Sequence, residues 1–458
     1  MDTAELERQI RTLSGCIPPA VVTRLLELGH EGAVELQAGR GEWFCAREWA
    51  RLLGARGERE RALETLAPYV ATGWWPAAQV RAELLEGWGR AEEAIALCRP
   101  YADTGDRIVL DFLARLLARH GRGAEAFALL RPGIEDWFLA DCLVDVAAAA
   151  GSDEEAAALL EARVEATVPA CDDPDCGNVR TDPWNALSLL AAVRERQGRI
   201  EEAIALLQRR SITSVNDRDA LADLLARHDR IDELRAYAAV EDHGHAAKRL
   251  AEVLERHDDV EGAIGAYRTF AAESGGMGHV AFPLSRLLVR QGRGEEAIEV
   301  VRELADRPGG ADDWVVDILC DLYADQGRPR DGLAYLDAVK ARHGSREDWD
   351  FFRMRLPLMA GCGLLDEAIE QARAHPEGGS WYAALSLSDL LADAGRTEEA
   401  VTVLEQHPAS NASRRAEHLI RLGRIEEAVE ILQRRPQTGP PEPIDAPWAD
   451  AFTAEPPF

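Results

Sequence analysis

Lysine is almost missing from this chain: of 52 cationic side chains only Lys248 and Lys340 are lysines, and the rest are arginine. A GC-rich coding sequence supplies Arg, Ala and Gly freely, so the arginine count carries no functional message. Positive charge is scarce overall. The 81 carboxylates leave a net charge of −29, and a field of that sign repels phosphate backbones and anionic membrane surfaces. Nucleic acid and membrane are therefore not expected partners. No run of 18 apolar residues is present, which excludes an ordinary membrane-spanning helix. The first residues, Met1 to Arg8, lack the apolar core of a signal peptide, so the chain is expected in the cytoplasm. Eight cysteines are scattered without a dense framework and are expected as reduced thiols. Cys98 and Cys320 fall at apolar helix positions, where a thiol serves as a small hydrophobe.

Catalytic signatures are missing as well. The chain has no Gly-x-x-x-x-Gly-Lys-Ser/Thr, no Gly-x-Ser-x-Gly, no His-Glu-x-x-His and no Gly-x-Gly-x-x-Gly between a strand and a helix. The nearest constellation is Glu241-Asp242-His243-Gly244-His245, whose carboxylates and imidazoles suit a metal or a proton relay. It also suits a junction where Asp and Gly form a turn and His caps a helix, and that plainer reading is preferred. A non-enzyme without cofactor or metal is expected.

What is present is a repeat. The phrase Gly-Arg-x-Glu-Glu-Ala recurs at 89–94, 198–203, 292–297, 395–400 and 423–428. Weaker copies extend the series of turn residues to Gly57, Gly89, Gly121, Gly151, Gly198, Asp229, Asp258, Gly292, Gly327, Gly363, Gly395 and Gly423. Their mean spacing is about 33 residues, close to the helix-turn-helix period of 34. Each mark predicts the end of one amphipathic helix, a left-handed turn and the start of a second. Five residues after the mark most units carry Ala, as at Ala94, Ala203 and Ala297. Seven before it they carry Ala, Ser or Cys, as at Ala82, Ser285 and Cys320. Four before it a large apolar residue such as Leu85, Leu288 or Tyr323 fills the seam.

Small at position 8, large apolar at 11, Gly at 15 and Ala at 20 is similar to the tetratricopeptide repeat, although the family's Trp at position 4 and Pro near 32 are mostly missing. The resemblance covers roughly residues 41–434. It implies an all-α solenoid of about twelve tandem helix-turn-helix units forming a right-handed superhelix. Residues 1–40 are expected to form an N-terminal helical cap, and the proline-rich 435–458 a flexible tail, with Trp448, Phe452 and Phe458 as the features of a possible docking segment. The long interval between Gly151 and Gly198 predicts an inserted loop at about 168–182. There Cys171 and Cys176 invite a zinc or disulfide reading, but a closed zinc site needs four ligands and none lies nearby in sequence.

The resemblance also implies function: a protein-binding scaffold or adaptor that takes a partner peptide or helix in its concave groove. The alternative is a regulatory sensor whose small ligand or peptide controls a partner regulator or ATPase. Positions 2, 5, 9, 12 and 13 of each first helix line the groove in this family. Here they give Asn185, Asn216, Arg227, His245, Lys248, His279, Arg286 and Arg290 as candidate partner-binding residues, of which Asn216, Arg227, Lys248, Arg286 and Arg290 resemble the Asn, Lys and Arg that clamp a partner's C-terminal carboxylate in this family. Ser188, Asp219, Asp223 and Glu252 lie among them, and toward the C-terminus Asp317, Asp321, Asp325, Asp389 and Asp393 turn the same positions acidic. Trp43, Trp75, Trp137, Trp184, Trp349 and Trp381 all sit fourteen residues before their marks, with Trp314 one later. They are expected to fill the wedge against the preceding unit rather than to form an exposed ridge.

Overall fold

The computed structural model describes residues 2–165, 183–209, 214–215, 218–274, 277–307, 313–343 and 348–434. It is an all-α solenoid. Three helices come first: α1 (Thr3–Thr12), α2 (Pro19–Glu27) and α3 (Glu31–Gly39). Paired helices follow as α4 (Trp43–Ala55) with α5 (Arg59–Val70), α6 (Trp75–Gly87) with α7 (Ala91–Ala102), and α8 (Arg107–Arg119) with α9 (Gly123–Leu130). The pattern continues through α10 (Trp137–Ala150), α11 (Asp153–Glu165), α12 (Pro183–Arg196) and α13 (Ile200–Gln208). Next come α14 (Ala220–Arg227), α15 (Ile231–Ala238), α16 (His245–Arg256), α17 (Val260–Ser274), α18 (Met277–Arg290) and α19 (Gly294–Ala305). Then α20 (Asp313–Asp325) pairs with α21 (Pro329–His343), and a first helix interrupted at Met354, α22 (Trp349–Arg353) and α23 (Arg355–Gly361), pairs with α24 (Leu365–Ala374). The last pairs are α25 (Trp381–Asp393) with α26 (Thr397–Leu404) and α27 (Ala412–Arg421) with α28 (Ile425–Gln433). Among the described residues the only strands are a two-residue antiparallel pair, Ser214–Val215 and Arg218–Asp219.

The helices pack as two bodies, Ala78–Gln371 and a second made of Met1–Ala77 with the stretch beginning at Ala372. In this second body the side chains of Gln433 and Gln37 are hydrogen-bonded at 2.9 Å.

Every one of the twelve sequence marks has a left-handed backbone, including the two that are not glycine, Asp229 (φ 49°) and Asp258 (φ 60°). The residue after each mark donates its N–H to the carbonyl five residues back, as Arg90 to Leu85 at 2.8 Å and Arg293 to Leu288 at 2.8 Å. This is the Schellman closure, which satisfies carbonyls that the helix end leaves bare. In ten of the twelve units the accepting residue is the large apolar one four before the mark, so a single position both seals the turn and fills the seam; Ala147 and Arg194 are the exceptions.

The small residues sit where the paired helices are tightest. Ala94, Ala203, Ala263, Ala297 and Ala400 are fully buried, as are Ala82, Ala114, Ala222 and Ser388 across from them. A Cβ at Gly332, which replaces the usual Ala, would come within 3.0 Å of Leu358.

The two acidic letters of the repeated phrase have distinct roles. The arginine after the mark pairs with the second Glu of its own helix: Arg90 with Glu93, Arg199 with Glu202, Arg396 with Glu399 and Arg424 with Glu427. It also reaches the first Glu of the preceding unit, as Arg122 to Glu92 (3.0 Å), Arg230 to Glu201 (2.7 Å), Arg293 to Glu261 (2.5 Å) and Arg328 to Glu295. A ladder of exposed ion pairs thus runs along the second helices. Such pairs contribute little individually, and their regular spacing favours one register of stacking.

Residues just before the first helices cap them: Asp136 accepts from the Phe138 N–H, Asp348 from Phe351 and Ser380 from Ala383. The tryptophans behind them do not share one environment. Trp43 and Trp349 are buried as expected, whereas Trp137, Trp314 and Trp381 are about half exposed. Trp43 is covered from its own and the following unit rather than the preceding one, with ring contacts to Tyr69 at 5.0 Å and Trp74 at 4.8 Å. The Trp184 side chain, the loop at 168–182 with Cys171 and Cys176, and residues 435–458 lie outside the described residues. Cys16, Cys45, Cys98, Cys142 and Cys320 are buried free thiols, with Cys362 half-buried.

Candidate functional site

Within the body Ala78–Gln371, a cleft of about 520 Å³ opens between the first helices α16 and α18. Four of the eight sequence candidates meet there: His245 and Lys248 from α16, Arg286 and Arg290 from α18. Tyr267 of α17 forms the floor with Ala251 and Leu287, and Phe282 and Pro283 form one wall. The period accounts for this assembly: Lys248 and Phe282 stand ten residues before their marks, Glu252 and Arg286 six before, so consecutive units present them side by side.

The N-terminal edge of the cleft is set by Glu241, whose buried carboxylate accepts from the His243 N–H at 2.7 Å and the Ala246 N–H at 3.3 Å. This carboxylate serves the start of α16, where the sequence suggested a histidine cap. Gly244 takes φ 80° at the helix entry, and a Cβ there would press to 3.1 Å from both Phe270 and Val280. Only glycine fits that geometry. The His243 and His245 rings stack across it at 6.1 Å.

The charges divide into engaged and available. Arg290 donates to Glu255 at 2.8 Å, and Arg249, outside the cleft, donates to Glu252 at 2.6 Å and to Asp223 at 2.5 Å. Both carboxylates of the cleft are thus already neutralised. Lys248 and Arg286 make no ion pair among the described residues; Arg286 lies over the Phe282 ring at 5.6 Å. Phe282 is 43% exposed, an aromatic surface beside two available cations. Burial first, then Glu252, pushes the Tyr267 phenol above its ordinary range, so it stays a neutral donor.

The other candidates are placed differently. Arg227 is outside the cleft and donates to Glu195 through two nitrogens at 2.9 and 2.7 Å, with His228 on the same carboxylate at 2.8 Å. Arg119 and His120 hold Glu86 in the same way three units earlier, at 2.8 and 2.9 Å, so this is a recurrent joint between units. The Arg119 and His120 hydrogen bonds hold Glu86 below the usual carboxylate range. Asp219 is buried, capping α14 through the Ala222 N–H and accepting from the Tyr237 hydroxyl. Asn216 and the side chains of Asn185 and His279 lie outside the described residues. Sequence reasoning missed Phe282, Tyr267 and Glu255. The register of Phe282 with Lys248 was the available signal, because aromatics at groove positions read as core without coordinates.

The architecture and the cleft define a helical-repeat protein of tetratricopeptide-like form. No family model and no curated protein matches the chain. Among solved structures it is similar to the complex described as Naa15/Naa10 bound to HypK-THB, over 93% of this chain and 67% of that chain, at 16% identity and a TM-score of 0.43. It is also similar to a tetratricopeptide repeat protein from Parabacteroides merdae, over 64% of this chain and 96% of that one, at 13% identity and a TM-score of 0.28.

Proposed function

We propose that this chain is a non-catalytic interaction scaffold that seats a peptide or helix of a partner protein along its first helices, with the α16/α18 cleft as the anchor. One observation carries the reading. In a strongly acidic protein, two cations without ion-pair partners, Lys248 and Arg286, stand beside an exposed Phe282 over an apolar floor. Both side chains are exposed, so their charge is open to a ligand, and this mixture of an aromatic anchor with uncompensated charge suits a recognition hot spot. The described residues contain no cluster of three or more metal-ligating side chains, and none of their helices is long and apolar enough to cross a membrane. The test is affinity capture from native cells with wild type and with Lys248→Glu/Arg286→Glu, both verified as folded by circular dichroism. Loss of a specific partner from the variant supports the reading, and undiminished recovery of every captured protein refutes the site.

A further inference from the structure

The charge of the groove reverses one helix beyond the cleft. α16, α18 and α20 are successive first helices of one body, and their positions ten, six and two before the turn mark correspond. At those positions α18 carries Phe282, Arg286 and Arg290, and α20 carries Asp317, Asp321 and Asp325. Asp317 is met by Arg353 at 3.1 Å. Asp321 and Asp325 make no ion pair among the described residues, and both are exposed. Partial desolvation first, then the charges of Asp317 and Asp325, raise the Asp321 carboxyl above its ordinary range.

Resting on the scaffold reading above, we propose that the segment seated here is bipolar. It carries carboxylates and an aromatic or aliphatic side chain at one end, held by Lys248, Arg286 and Phe282, and Arg or Lys at the other, held by Asp321 and Asp325. A uniformly acidic peptide gains at the cleft and is repelled at α20; a uniformly basic one meets the reverse. Only a segment whose charge changes sign along its length is matched by both, and a like-charge juxtaposition discriminates against the wrong partner as strongly as a pair favours the right one. Packed helices lie about 10 Å apart and α16 and α18 flank an open cleft, so the segment spans at least roughly 20 Å from α16 to α20, about six or more residues of extended chain.

The test is fluorescence anisotropy of the full chain with three labelled synthetic peptides of about twelve residues, long enough for that span. One is bipolar (Asp-Glu-Phe at one end, Arg-Lys at the other), one all-acidic and one all-basic. The bipolar peptide is expected to bind roughly tenfold tighter than either alternative, a difference within the reach of close interfacial charge pairs. Lys248→Glu/Arg286→Glu and Asp321→Lys/Asp325→Lys are each expected to weaken it about tenfold. Combining all four reversals is expected to recover the charge-dependent part of the loss relative to either double variant, because the peptide then lies in the opposite direction, while its Phe no longer meets Phe282. Equal binding of the all-acidic and bipolar peptides, tighter bipolar binding by Asp321→Lys/Asp325→Lys, or failure of the folded fourfold variant to recover overturns the inference. If no peptide binds but the captured partner is lost from Lys248→Glu/Arg286→Glu, the bipolar inference fails and the scaffold reading stands. If capture is also unchanged, both fail.

Discussion

The same substitution, Gly→Ala, should have opposite signs at two glycines fewer than thirty residues apart. Gly292 is a turn mark with φ 72°, and an added Cβ there meets nothing within 4 Å. The cost of Ala is therefore purely conformational. A left-handed L-residue costs roughly 1–2 kcal/mol, and the stiffer unfolded chain returns about 0.4–1 kcal/mol. A net loss of about 1 kcal/mol remains. Gly265 lies inside α17, also with open space around a Cβ, and Ala there is expected to stabilise by about 0.5–1 kcal/mol. Gly292→Asp should fall between glycine and Ala, because Asp tolerates the left-handed region and already occupies it at 229 and 258. Urea unfolding by circular dichroism gives the sign, and amide exchange of Arg293, whose N–H closes the turn, shows whether the loss is local. In a linear array, stability is a sum of unit and neighbour terms, so the effect should appear first in α18 and α19. Equal signs at the two glycines, or Asp costing more than Ala at 292, would refute the reasoning.

Three further outcomes follow from other contacts. Trp349 is 3% exposed and Trp314 50%, so Trp349→Ala should cost about 3–5 kcal/mol and Trp314→Ala less than about 1, compared by denaturant titration. Glu195→Gln weakens the joint with Arg227 and His228 and should cost about 1 kcal/mol, the upper range for a partly exposed pair; no change in the urea midpoint would mean the joint is incidental. His418 of α27 is buried with both ring nitrogens unpartnered, and burial first, then Arg421 and Arg414, lowers its pKa. The unfolded chain binds the proton more readily, so stability is complete above the ordinary histidine range near 6.5 and is lost as pH falls from there toward the lowered value. Exchange at α27 amides should accelerate across that window in wild type and not in His418→Leu.

The solenoid was legible because its unit is written twelve times, each copy correcting the ambiguity of the others. A left-handed mark, small residues at fixed offsets and an apolar seam are local demands that a sequence states directly. The Arg-Glu-Glu letters were visible as repetition, but their ladder was not, because it joins residues about thirty apart whose relative height depends on the stacking. Half of the candidate site was legible for the same reason: His245, Lys248, Arg286 and Arg290 share a periodic face. Which cations remain available was not, since Arg290 and Lys248 look alike until Glu255 is seen on one of them and no ion pair among the described residues on the other. The tryptophans show the same limit. A common offset fixes where each begins its helix, and contacts from elsewhere in the stack, such as Tyr69 and Trp74 on Trp43, decide whether it is covered.

The most direct test of the central claim is site-specific photo-crosslinking in native cells, with p-benzoylphenylalanine placed at Phe282 in the cleft or at Arg268 on the second helix α17, where the side chain is exposed. The scaffold account expects a discrete protein adduct from position 282 that disappears with Lys248→Glu/Arg286→Glu, and none from 268. Adducts of the same proteins from both positions, or from 268 alone, would contradict it.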